Sequence, residues 1–313
     1  MDEVEDLALR ISSCCEVPKA LVDKAHPCHE VVDWQSRQWK PPILQIENSR
    51  MHRPEAWTGD IQNTPILFLS SNPSFDSKEN YPSWTLGDWP LVKVAKFATN
   101  RFTSNISRGY GASDGLTENE IDRTIGNSGQ LSKKVSYWSW ARNMVAYIHG
   151  KNISEVSAHA DYAMTEIVHC KSQKERGVKT ARVKCKDMYL EKILKISKAK
   201  LIFISGQHAC EDIKAVFPGK FPKVWGKWNE DGSASGGYWP SKVTQFPVEI
   251  NRGMWSLEEQ QKHTESFEWA GQVRTFQYFA KPGGGGGLNA PWKHPDLVHP
   301  EVLNAWRNLI NPT

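Results

Sequence analysis

The chain has 313 residues, 39% of them hydrophobic and 24% charged, enough for one large domain or two modest ones around a buried core. A mean hydropathy of −0.56 and the lack of any long apolar run exclude collagenous, disordered and membrane-spanning classes. The net charge is only +4, yet residues 171–200 hold eleven Lys/Arg against three Asp/Glu, which suits either a polyanionic partner or a solvated helix face.

Residues 1–60 read as a helical extension, with amphipathic segments at Asp2–Ser12 and Pro18–Ala25. Their acidic start has neither the basic nor the apolar region of an export signal. A cytoplasmic, reducing setting is therefore expected, with the six cysteines as thiols. From residue 61 a second unit runs to the end. Its first strand is Ile66-Leu67-Phe68-Leu69, feeding the polar turn Ser70-Ser71-Asn72-Pro73-Ser74. A short apolar run of this kind reads as a buried parallel strand ending in a functional loop. Residues 76–130 lack periodicity. Tyr137, Trp140, Met144 and Ile148 fall at helical spacing and predict a helix over 135–149, with these aromatics in the core.

A second strand is predicted at Ala163–His169, a helix at about 186–198, and a third strand at Leu201–Ser205 followed by another helix. Residues 218–272 read as an irregular insertion. A fourth strand, Val273–Ala280, leads into Lys281-Pro282 and the glycine run Gly283–Gly287, and the chain closes with a helix at Pro300–Ile310. Strands separated by helices predict an α/β fold, a four-stranded parallel sheet sandwiched between helices with long loop insertions. Ligands of such sheets bind outside the carboxyl ends of the strands, which directs attention to Asn72, Glu166, His169, Gln207, His208 and Lys281. No phosphate-loop, dinucleotide, serine-elbow or HExxH motif is present.

In order along the chain, Ile66–Ser74, Thr165–Cys170, Leu201–Ala209 and Phe279–Gly283 resemble the four strand-end motifs of the uracil-DNA glycosylase superfamily. The resemblance covers residues 60–300. It implies base flipping and hydrolysis of an N-glycosidic bond in DNA, leaving an abasic site. Asn72 matches the residue that holds the attacking water, with Asp76 as the carboxylate alternative. Lys281 stands where relatives use His to stabilise the departing base, with His294 as a fallback. Glu166 occupies the base-reading position that often carries Asn. Phe75 follows the first motif as a stacking aromatic often does, and Trp84 and His169 complete the base-binding set. Lys171, Lys174, Arg176, Lys179 and the backbone of Gly283, Gly284 and Gly285 are expected on DNA phosphates.

The departures from the family carry information. The glycines of the first motif are Ser70 and Ser74, and His-Pro-Ser reads Lys281-Pro282-Gly283. An ionised Glu166 would accept from the N4 amino group of cytosine and repel the O4 oxygen of uracil. The expectation is thus a modified cytosine, such as glucosylated hydroxymethylcytosine in phage DNA, and an antiviral role. A uracil or mismatch repair enzyme and a non-catalytic DNA-binding module are the alternatives. No cofactor, membrane or obligate protein partner is required. Cys170 and Cys185 resemble two cluster ligands of the iron–sulfur members, and Cys14, Cys15 and Cys28 could supply others. Buried free thiols are the competing reading.

Overall fold

The computed structural model describes residues 2–47, 49–85, 89–101, 121–126, 128–223, 225–226, 257–279 and 298–311. The N-terminal helices are α1 (Glu3–Ser12), α2 (Glu16–Val22) and α3 (His29–Ser36). Asp2 caps α1 by accepting from the Glu5 amide. The short β1 (Trp57–Thr58) precedes β2 (Ile66–Ser70) and α4 (Leu91–Asn100). A hairpin, β3 (Arg123–Ile125) with β4 (Leu131–Lys134), leads into α5 (Ser136–His149) and β5 (Tyr162–Glu166). Next, α6 (Val178–Cys185) runs through a π turn into α7 (Glu191–Ile196), then β6 (Leu201–Ser205) and α8 (Gln207–Val216). The last elements are α9 (Leu257–Lys262), β7 (Thr264–Trp269), β8 (Gln272–Phe279) and α10 (Pro300–Ile310).

The main sheet has six strands in the order β1-β5-β2-β6-β8-β7. The four inner strands are mutually parallel and coincide with the four read from the sequence. The expected four-stranded sheet is therefore extended by an antiparallel strand on each edge. At one edge, β7 and β8 form a hairpin whose two-residue turn, Ala270-Gly271, has positive φ at both positions. That is the turn geometry matching the twist of paired strands.

Alternation along the inner strands divides the core. Leu67, Leu69, Ile202 and Ile204 pack in one cluster with α1–α3, α6 and α7 residues such as Ile11, Val31, Ala181 and Leu194. Phe68, Met164 and Phe203 face the other way, onto Trp140 and Met144 of α5 and Trp306 of α10. The N-terminal segment thus shares the core of the sheet. Gly177, with φ +74, caps α6 where it crosses α3. A Cβ there would stand 2.4 Å from the Val31 backbone nitrogen, so only glycine permits this crossing. Among the described residues, no helix is long and apolar enough to cross a membrane.

Candidate active site

The carboxyl ends of β2, β5 and β6 open onto a cavity of about 190 Å³, lined by Ser70, Asn72, Asp76, Glu166, Tyr137 and Ser205 among others. The position follows from parallel topology, which gathers three strand ends and their loops at one edge. Two of those loops are zipped together. The Ile167 and Val168 amides donate to the Ser70 and Ser71 carbonyls at 2.9 Å, and the Ser172 amide donates to Pro73. Asn72 Nδ2 donates to Ser172 Oγ and to the Pro73 carbonyl, both at 3.0 Å. The amide nitrogen is thereby committed to the loop, and Oδ1 is the atom suited to accept from a water. Asp76 reaches the same cavity, its Oδ1 accepting from the Lys78 amide at 2.9 Å.

Behind these groups lies a buried charge network. Lys171 Nζ is 3.1 Å from Glu55 Oε2 and 2.9 Å from Glu79 Oε2. Arg101 Nη1 is 2.6 Å from Glu55 Oε1, and Arg101 also pairs with Glu79. Lys171 stands 3.7 Å over the Tyr81 ring, and Arg101 4.5 Å over Trp138. Burial opposes ionisation of Glu55, but Arg101 and Lys171 outweigh it and hold the carboxyl below its ordinary range.

Glu166 is the exception. Its side chain is buried, it lines the cavity, and Oε2 has no hydrogen-bond partner. Burial first, and the Glu55 carboxylate second, push its carboxyl well above the ordinary range, against the pull of Lys171 and Arg101. The direction favours the protonated carboxyl, where the sequence suggests an ionised reader. A neutral carboxyl offers one donor and one acceptor side by side. Such a pair matches cytosine at N3 and N4 and, with roles exchanged, uracil at N3 and O4. Charge repulsion alone no longer excludes uracil.

Several other assignments change. Lys171 is 1% exposed and doubly ion-paired, so it holds the site together and cannot reach a phosphate. Lys174, Arg176 and Lys179 are exposed, and Lys174 reaches the rim of the cavity. Lys174 and Glu175 both adopt left-handed backbone, with φ of 53° and 55°. Such strain is held only where surroundings enforce it, and here Ser71 donates to the Glu175 carboxylate. Phe75 is packed among Trp34, Trp39 and His52, and Trp84 lies under Arg53. Neither lines the cavity. His169 lies past the end of β5, buried, and its Nδ1 donates to the Glu55 carbonyl at 2.7 Å. Burial lowers it to about 4, so it is neutral at physiological pH. Among the described residues, the aromatics that line the cavity are Tyr137 and Trp138, although helical spacing places Tyr137 in the core. Lys281, His294, Gly283, Gly284 and Gly285 lie outside the described residues.

A second, smaller cavity lies among the N-terminal helices and the loop after β5. It is lined by Cys14, Cys28, Cys170 and Cys185, together with Glu16, His169 and Tyr189. A hydrogen bond from Cys185 lowers the Cys28 thiol against the opposing effect of burial. Among the described residues, no group of three or more His, Cys, Asp or Glu side chains could hold a metal ion as it stands. Four thiols are the donor set of an iron–sulfur cluster. The cavity they line is only about 10 Å³, too small for a cluster, so loading would require the thiols to part. Cys15 is exposed and outside this set.

No family model matches the chain, and no curated protein matches it.

Proposed function

We propose that this chain is a DNA glycosylase that extrudes a pyrimidine and hydrolyses its N-glycosidic bond, Glu166 fitting a cytosine edge and, with its roles exchanged, a uracil edge. One observation carries this reading: Asn72 and Glu166, from two parallel strand ends, line a single cavity backed by Tyr137 and Trp138. Cleavage of this bond passes through an oxocarbenium-like sugar, so the site needs a held water, a contact to the base edge and electrostatic order more than a strong nucleophile. Asn72 Oδ1 supplies the first and Glu166 the second. The buried network fixes both loops. The exposed Lys174, Arg176 and Lys179 would take backbone phosphates while the base is out of the stack.

The alternative to buried free thiols is a [4Fe–4S] cluster, which Cys14, Cys28, Cys170 and Cys185 would hold. When bound, it would supply a cross-link between the N-terminal helices and the loop that carries Lys171. Iron and sulfide content and visible absorbance of anaerobically purified protein test this, with Cys185→Ser expected to abolish the signal.

The decisive experiment is a panel of duplexes containing uracil, mismatched, hydroxymethylated and glucosylated bases, assayed for abasic sites. Asn72→Ala is expected to slow single-turnover excision by roughly two to three orders of magnitude at little cost in DNA affinity. Binding without excision of any base would favour the DNA-binding module.

A further inference from the structure

The cavity brings three buried carboxyl groups together with two cations. Lys171 and Arg101 are both spent on Glu55 and Glu79. Glu166 is left with Oε2 buried, unpartnered and at the cavity wall. The titratable groups that act on it are Glu55 from the segment before β1, Tyr81 from the loop after β2, Arg101 from the end of α4, Tyr137 from α5 and Lys171 from the loop after β5, and Asp76, Glu79, Lys174 and Glu175 line the same cavity. Tyr137 donates to Ser205 Oγ at 3.4 Å, and burial raises its phenol. It is no proton source near neutrality.

We propose that Glu166 is the proton donor to the departing base. This rests on the glycosylase reading above. With a cytosine-type base, the Glu166 carbonyl accepts from N4 and its hydroxyl donates to N3. As the C1′–N1 bond breaks, the bonding pair passes to the base, and the Glu166 proton moves to N3. The base leaves neutral. Water then attacks C1′, and the proton it sheds returns to Glu166 through cavity solvent, restoring the starting state. An amide at this position would read the same edge but could not release a proton. Burial and Glu55 keep the acid loaded between turnovers.

The test compares wild type with Glu166→Gln and Glu166→Asp on the duplex that the abasic-site panel identifies, in single turnover from pH 5 to pH 9. Glu166→Gln is expected to bind DNA within about threefold of wild type. Its chemical step should be slower by about 10²- to 10⁴-fold, the scale of a lost general acid. The wild-type rate should fall at alkaline pH as the acid is lost. Glu166→Gln should lack that limb, and Glu166→Asp should keep it at a reduced rate. Glu166→Gln within tenfold of wild type, with an unchanged pH profile, would overturn the proton transfer while leaving the glycosylase reading intact. If Glu166→Gln does not fold, loss of the limb in Glu166→Asp would overturn it equally. Wild type that frees no base from any duplex would sink the glycosylase reading, and the proton donor with it.

Discussion

Replacing Glu166 by Gln should stabilise the folded protein, and by more as pH rises. The folded carboxyl keeps its proton well above the pH at which the unfolded chain, near 4.5, loses it. Between those two points the folded state binds more protons than the unfolded state. Wild-type stability then falls with rising pH by about 1.4 kcal/mol per pH unit for this one group. The penalty is absent below the unfolded value and complete above the folded one. Gln keeps the shape and carries no titrating proton, so its curve lacks this slope. The opposite contribution of Glu55, gained above its unfolded value and lost as pH falls through its depressed one, is common to both proteins and largely cancels in the difference. Urea titrations of both proteins at half-unit steps from pH 5 to pH 8 measure the gap directly. A gap that widens by about 1 kcal/mol or more per unit through the first part of this range is expected. A gap flat with pH would mean that Glu166 ionises in the ordinary range and carries no proton near neutrality.

Three further outcomes are expected. Lys171→Met leaves two buried carboxylates with one guanidinium and should destabilise by about 3–5 kcal/mol, read by denaturant titration; a change below about 1 kcal/mol would mean that the lysine is not buried. Neutralising Lys174, Arg176 and Lys179 together should flatten the salt dependence of DNA binding by about one unit for each phosphate no longer neutralised, with base preference unchanged. Gly177→Ala adds a Cβ against the Val31 backbone at φ +74 and should cost about 2 kcal/mol or more, seen as a fall in Tm; an unchanged Tm would show that α3 and α6 can separate freely.

Two of the four parallel strands, Ile66–Leu69 and Leu201–Ile204, were legible as compact apolar runs buried on both faces, and the other two, which carry Thr165, Arg274 and Gln277, by their β-branched and aromatic residues. The two outer strands were not. Trp57–Thr58 is too short to show a period, and Thr264–Trp269 sits at a half-exposed edge where apolar residues are few. Asn72 and Glu166 were reachable because strand ends mark sites in this architecture. Glu55, Glu79 and Arg101 carry no local signal. Their meaning comes only from pairing across 22 to 46 positions. Lys171 opens a run of basic residues, and such a run does not reveal which member turns inward. Phe75 and Trp84 fail for a related reason, since nearness to a motif in sequence says nothing about which side of the loop a ring occupies.

The buried network also constrains how the chain can fold. Its charges come from positions 55, 79, 101 and 171, so no local segment can assemble it. An intermediate that buried Glu55 and Glu79 before both cations arrived would carry an uncompensated charge in a dry interior, at a cost of several kcal/mol. Partly ordered forms of this edge are therefore disfavoured until distant segments have met. The same arrangement that orders the cavity thus acts against half-formed species, which otherwise expose strand edges and aggregate.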